Sequence, residues 1–525
     1  MKRINLILKT LIVSLLIIGL GACSDSDKEE LTPAESQQKL ILAALESDPQ
    51  LSQFTEAFRS IDLSGSSATN FTILAIKNNT VEGGITADIL KRHILEKAYT
   101  PSALTEAGKV KSLSGTELVV KTVEGIVALN NTPIGTHITV GNSTLYILDK
   151  AIPAENTFLG LAAKFDVTKS KVLELRPEVI DLDGATFEWI QEFGGVKGVI
   201  STEVNYDFIT LVAGEYKLSL KATLSNGKTL EVNTIITVTE PENDFSAYPS
   251  RIFDFVPAPG INLLVNKPTV DNIPQGTYTK AETLDIVYTQ LKNGSGNVYM
   301  GAFGGYMVVG FDHTIMNKPG YCDFTTKCNW NSNVSPSIIW VAYDANKNGI
   351  PDDDEWYEIK GSEYGGVNDL GIQSYTYQTT KTDNGFAWTT QDGKTGFVAN
   401  PEFFGNKVGD VEIAPWITGP TFTLTGRQLK PTIDEDNMYK PALPFAWGYA
   451  ANQPNDSKQA AIDIDWAVDS KGNKVRLPGV DFIKVVNAIQ GMRPAMGEYR
   501  YQVVSIEDLH LQTVEITTVE AQSAN

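Results

Sequence analysis

The sequence predicts a multidomain chain in which one α+β segment is followed by two all-β modules. Three observations carry this. At 525 residues the chain exceeds what a single hydrophobic core serves, and 42% hydrophobic content is enough for each piece to bury its own. Apolar residues recur at helical spacing near the N-terminus, at Leu40, Ile41, Ala44, Leu45, Leu51, Phe54, Ala57 and Phe58. Beyond about residue 158, short alternating runs broken by turn signals take over.

The first elements concern export. Lys2 and Arg3 precede an apolar run over residues 4–20, and Leu20-Gly21-Ala22-Cys23 forms a small-residue cleavage box. This is the pattern of a lipoprotein signal peptide, residues 1–22, with lipidation expected on Cys23 and an acidic linker over 23–35. Acyl chains contribute roughly 0.8 kcal/mol per buried methylene, enough together to hold a soluble protein on a membrane. The run Ser24-Asp25-Ser26-Asp27-Lys28-Glu29-Glu30 resembles the surface-export tag of Bacteroidota lipoproteins. That resemblance implies the outer face of the outer membrane; a solvated acidic linker is the alternative.

Net charge is -20, which argues against nucleic acid as a partner, since phosphate binding needs a basic face. Of three cysteines, Cys23 is assigned to lipid; Cys322 and Cys328 are expected to pair in an oxidising compartment. Such a short closed loop would add roughly 2 kcal/mol.

In residues 36–154, two short amphipathic helices precede a strand at 71–76, a helical stretch at 87–96 and short strands from 117 to 153. Residues 71–78 (FTILAIKN), 91–100 (KRHILEKAYT) and 144–153 (TLYILDKAIP) resemble the fasciclin-like domain in order and content. The resemblance implies an extracellular adhesion module without catalytic function. His93 occupies the position of that family's histidine and is expected to be a hydrogen-bonded core residue.

Residues 158–240 read as a β-sandwich. Trp189 in an early strand and Gly214-Glu215-Tyr216 before a late one resemble the PKD or immunoglobulin-like fold. The resemblance places Trp189 in the core and gives Tyr216 a tyrosine-corner hydrogen bond.

Residues 245–514 hold seven of the eight tryptophans, and recurrent strand-like runs predict a large jelly-roll-like sandwich that binds a ligand. Its motifs at 304–313, 344–363, 446–450 and 462–469 resemble a domain of Bacteroidota cell-surface proteins that follows PKD-like modules. That resemblance implies capture of an extracellular small molecule, a corrinoid such as cobalamin first among candidates, with docking on an outer-membrane transporter left open. Trp330, Trp388, Trp416, Trp447 and Tyr449 are the aromatics expected on the binding face, where flat rings stack on a sugar or macrocycle.

Asp344-Ala-Asn346-Lys-Asn348-Gly349-Ile350-Pro-Asp352-Asp-Asp-Glu355 has the spacing of a twelve-residue calcium loop. Oxygen ligands fall at Asp344, Asn346, Asn348, the Ile350 carbonyl, Asp352 and Glu355, and Gly349 makes the sharp turn. The flanks read as strands, so a structural calcium joining a hairpin is expected; an ion-free polar hairpin is the alternative. Asp312 and His313 invite a catalytic reading, yet no nucleophile elbow and no zinc helix occur in the sequence. A non-enzymatic protein that captures an extracellular small molecule is therefore expected. Adhesion to glycan or protein through the fasciclin-like domain, and a glycan-active enzyme built on paired carboxylates, are the alternatives.

Overall fold

The computed structural model describes residues 31–518 apart from 124, 194, 262, 264–277, 330–333, 408 and 494. Cys23 and Trp330 therefore lie outside the described residues. The chain divides into two compact units, one of residues 1–158 with 179–183 and one of residues 159–178 with 184–525. Among the described residues no helix is long and apolar enough to cross a membrane.

The first unit is α+β. Thr32 caps helix Pro33–Glu46 reciprocally with Glu35, which satisfies the free N–H groups of the first turn. Helix Ser52–Arg59 follows, and Ile41, Leu45, Phe54 and Phe58 line one core with Phe71. Strand Thr72–Ile76 is buried throughout, because it sits between that core and a second one built on Leu74, Leu95, Tyr146 and Leu148. It pairs in parallel with Ser143–Leu148, Thr72 opposite Thr144, and antiparallel with Ile94–Leu95. The helix expected over 87–96 is shorter, Ala87–Arg92; at His93 the backbone leaves the helix, and Ile94 and Leu95 join the sheet.

The second unit begins with the sandwich-like module. Its main sheet runs in the order Lys164–Thr168, Thr229–Thr239, Gly214–Thr223, Thr186–Phe193, Val196–Ser201, and a small pair, Leu173–Leu175 with Tyr206–Phe208, covers part of it. Trp189 is fully buried and its indole N–H donates to the Val204 carbonyl at 3.1 Å. The Tyr216 hydroxyl donates to the Val212 carbonyl at 2.8 Å, the expected corner.

Among the described residues the rest of the unit holds three larger sheets and three two-stranded pairs. A six-stranded sheet, in the order Arg251–Val256, Tyr306–Met316, Gly479–Asn487, Ser337–Ala342, Trp356–Ile359, Ala467–Val468, shares one core with a four-stranded sheet centred on Gln502–Asp508 and Phe324–Cys328. Another four-stranded sheet runs Thr395–Val398, Phe386–Thr390, Asp369–Gln378, Thr421–Leu429 over a core of Phe303, Tyr375, Tyr377 and Leu424. Arg427 joins this sheet to its neighbour, reaching Glu358 at 2.6 Å and Asp369 at 2.8 Å with all three side chains largely buried.

Two expectations are corrected. The all-β reading of 245–514 omitted helix Lys280–Leu291, which Thr279 and Glu282 cap reciprocally and which buries Ile286, Val287 and Leu291. Cys322 and Cys328 are both free and buried. Strand Phe324–Cys328 lies between them and spans about 13 Å, whereas a disulfide needs Cα atoms within about 7 Å. Cys322 is fastened by its N–H to the Ile516 carbonyl, and Cys328 by its N–H to the Asn455 side chain, at opposite ends of that strand.

Candidate functional site

The loop at 344–355 joins antiparallel strands Ser337–Ala342 and Trp356–Ile359, as its flanks predicted. The Asp344 carboxylate accepts from the Asn348 and Gly349 N–H groups, Asn346 Oδ1 accepts from Asn348 N–H, and Asn348 Oδ1 accepts from Ile350 N–H. The Asn346 and Asn348 amides both donate to Asp352 Oδ2, at 2.7 and 2.8 Å. Lys347 and Gly349 make the turn with φ of 59° and 72°. Glu355 faces the backbone instead, accepting from Ala345 N–H at 3.0 Å and Asp352 N–H at 3.3 Å.

Among the described residues, no three His, Cys, Asp or Glu side chains gather to hold a metal. The gathered donors are two carboxylates and two amides, an all-oxygen set of the kind a hard cation takes once the amides present oxygen. Lys347 also pairs with Glu174 of the sandwich-like module at 3.0 Å. Beside the loop a cleft of about 470 Å3 is lined by Lys171, Tyr343, Asp344 and Asp481. Burial pushes the Asp481 carboxyl above its ordinary range, while the Thr314 hydroxyl and the Asp344 N–H donate to it.

The expected aromatic face is not assembled. Trp388 packs half-buried against Tyr375, with ring centroids 5.0 Å apart, on the core side of its sheet. Trp416 and Trp447 are half-buried against the main core, Trp447 on Trp466 at 4.7 Å. Tyr449 is a core side chain, 2% exposed, whose hydroxyl accepts from the Glu363 N–H. Only Trp388 lies on a strand; Trp416, Trp447 and Tyr449 lie in connecting segments, and the four fall into three packing groups.

His313 is fully buried between two carboxylates, with Nδ1 2.8 Å from Asp312 and Nε2 2.7 Å from Asp508. The carboxylates hold its pKa above the ordinary value although burial opposes this. Both ring nitrogens are occupied, so the imidazole fastens strand Tyr306–Met316 to the end of strand Gln502–Asp508 and has no nitrogen left to act as a base. His510 pairs similarly with Asp323 at 3.0 Å, whose carboxyl burial pushes up to about 6.

One surface was not singled out from the sequence. On the outer side of the sheet Thr395–Val398, Phe386–Thr390, Asp369–Gln378, Thr421–Leu429, the hydroxyls of Thr395, Thr389, Thr376 and Thr423 stand opposite one another across all four strands. Ser374 bonds Thr425 at 2.7 Å and Thr376 bonds Thr423 at 2.8 Å on the same face. Phe397, 41% exposed, lies at one end of this face and also lines a polar cleft of about 920 Å3 with Lys381, Asp383, Asn384 and Glu402. The alternation Thr421-Phe-Thr-Leu-Thr425 was the available signal, since period two puts all three threonines on one side.

In the first unit His93 is buried, Nδ1 2.7 Å from the Ile89 carbonyl, while Nε2 accepts from Ile152 N–H at 2.8 Å. The ring thus joins the helix of the second sequence block to the end of the third. A fasciclin domain model matches residues 49–153. Within the fasciclin domain the three blocks meet in one sheet, the first and third as parallel strands and the second supplying Ile94–Leu95, antiparallel to the first. His93 holds its core and faces no open site.

No curated protein matches the chain. Among solved structures, murine CRIg is 12% identical, covering 16% of this chain and 98% of its own, with a TM-score of 0.14. Fibronectin(III)-like modules of Clostridium thermocellum CbhA are 14% identical, covering 25% and 64%, at 0.14. Carbohydrate-binding modules of the β-sandwich superfamily are 12% identical, covering 67% and 96%, at 0.13. At such TM-scores these likenesses carry no argument about function.

Proposed function

We propose that this protein is a non-enzymatic attachment protein of the cell surface, anchored through lipid on Cys23 and binding extracellular glycan or protein. The fasciclin domain over residues 49–153 is the observation that carries the reading. The export signal, the acidic linker and the net charge of -20 support an extracellular setting. Capture of a corrinoid is the less favoured reading, because the described aromatics expected to form its platform are spread over three packing groups. In the same proposal a calcium ion held by Asp344, Asn346, Asn348, the Ile350 carbonyl, Asp352 and Glu355 would act structurally, fixing the loop whose Lys347 pairs with Glu174.

The anchoring part is tested by metabolic labelling with an alkyne fatty acid and proteinase treatment of intact cells. Labelling lost in Cys23→Ala, with the wild-type chain digested on intact cells, is expected. An unlabelled wild-type chain, or one protected until the cells are broken, would remove the reading.

A further inference from the structure

We propose that the polar cleft beside Phe397 and the hydroxyl-bearing sheet face that runs up to it form one binding site for a neutral oligosaccharide. This goes beyond the attachment reading and does not depend on it, because the fasciclin domain contributes nothing to the site.

The cleft adjoins edge strand Thr395–Val398 through Phe397. Its volume of about 920 Å3 lies within the roughly 300–1,000 Å3 of small-ligand sites, yet its wall is polar where most such sites are apolar. A ligand that presents many hydroxyls suits such a wall; a flat apolar one does not. Lys381 and Lys407 both pair with Asp410, which answers one of their two charges. Among the described residues the side chains of Asp383, Asn384 and Glu402 make no hydrogen bond within the protein and are exposed. With Asp383 and Glu402 counted, three carboxylates face two lysines and the lining keeps one net negative charge, which disfavours acidic sugars relative to uncharged ones.

Aromatic surface stands where a sugar ring needs it. Phe397 offers an exposed ring at the junction of cleft and sheet, and the apolar C–H face of a pyranose stacks on such a ring while its hydroxyls point away to the polar groups. Phe404 is 84% exposed at the turn of the hairpin whose two strands supply Glu402 and Lys407 to the cleft wall. It is held at φ 50°, a backbone conformation that favours Asn or Gly, so the ring is kept there against local preference. From Phe397 the site continues over the sheet. The rank Thr395, Thr389, Thr376, Thr423 offers hydroxyls at the strand spacing of about 4.8 Å. Each hydroxyl can donate once and accept twice, so those already bonded to a neighbour keep capacity for a ligand.

The test is affinity electrophoresis of full-length mature protein through native gels containing starch, yeast mannan, xylan or arabinogalactan, with hyaluronate as the acidic control. Retardation by at least one neutral polysaccharide is expected, with none by hyaluronate. Phe397→Ala and Phe404→Asn are each expected to weaken retardation at least tenfold. Phe404→Asn suits the turn better than the native residue, so its melting temperature is expected to be unchanged or higher, which separates loss of binding from loss of folding. Thr376→Val with Thr423→Val is expected to weaken binding severalfold. No retardation by any neutral polysaccharide, retardation by hyaluronate alone, or retardation unaffected by both phenylalanine substitutions would overturn the proposal.

Discussion

His93 makes the fasciclin domain sensitive to mild acid, and its contribution can be worked from the structure. The ring is fully buried, and because Ile152 N–H donates to Nε2, that nitrogen must be unprotonated while Nδ1–H donates to the Ile89 carbonyl. A proton arriving at Nε2 would meet a donor, with no acceptor nearby. Burial accordingly lowers the pKa from 6.5 to about 4. Between those values the unfolded chain binds a proton that the folded one refuses, so stability rises with pH across the window. The contribution is complete above pH 6.5, falls as the pH drops, and levels off below about 4. At 1.36 kcal/mol per pKa unit the total loss is about 3 kcal/mol.

The full-length chain has only four histidines, so the imidazole resonances can be assigned by substitution and titrated by NMR. The His93 resonance is expected to titrate near pH 4. Hydrogen exchange of strand Thr72–Ile76, corrected for intrinsic rates, should report the pH-dependent loss of stability in the wild type. In His93→Gln, which is neutral throughout, that part of the pH dependence should disappear, although acidic residues keep a slope of their own at lower pH. A midpoint for His93 between pH 6 and 7, or an unchanged pH slope in the variant, would refute the reasoning.

Three further outcomes follow from the second unit. Arg427→Ala leaves Glu358 and Asp369 buried without their cation and is expected to cost about 3–5 kcal/mol in urea denaturation followed by tryptophan fluorescence; a cost below about 1 kcal/mol would contradict the packing described. Addition of 5 mM calcium to the wild type should stabilise the unit by about 1.4 kcal/mol for a site with a dissociation constant of about 0.5 mM, and Asp344→Ala should remove the effect; an unmoved melting temperature would exclude the calcium loop. Both thiols of the second unit should resist Ellman's reagent in the native protein, because burial pushes Cys322 and Cys328 up to about 12, and both should react in urea without reductant; a single cross-linked peptide in a non-reducing digest would restore the disulfide.

Features carried by short stretches were legible in the sequence. The Tyr216 corner closes on Val212, four residues away, and Trp189 announced itself by size and setting. The fasciclin blocks were readable because each is a contiguous run, although the parallel pairing of Thr72 with Thr144 depends on the intervening chain. Helix Lys280–Leu291 had its signal in Thr279 and Glu282, hidden by the surrounding strand-like pattern. What stayed illegible depended on which face of a strand is covered. Trp388 and Phe397 belong to adjacent paired strands, yet Trp388 turns to the core and Phe397 to solvent, and Gly396 leaves room for the Trp388 ring. The cysteine pair misled for a related reason: closeness in sequence means separation in space once the residues between them are extended.

The proposed attachment through the fasciclin domain is tested most directly by coating beads with the full mature chain and counting those held by cell monolayers or by whole bacteria. Coated beads are expected to attach well above beads carrying an unrelated acidic protein, and Fab fragments against residues 49–153 are expected to prevent it. Attachment no better than the control, or attachment indifferent to those Fab fragments, would contradict the account.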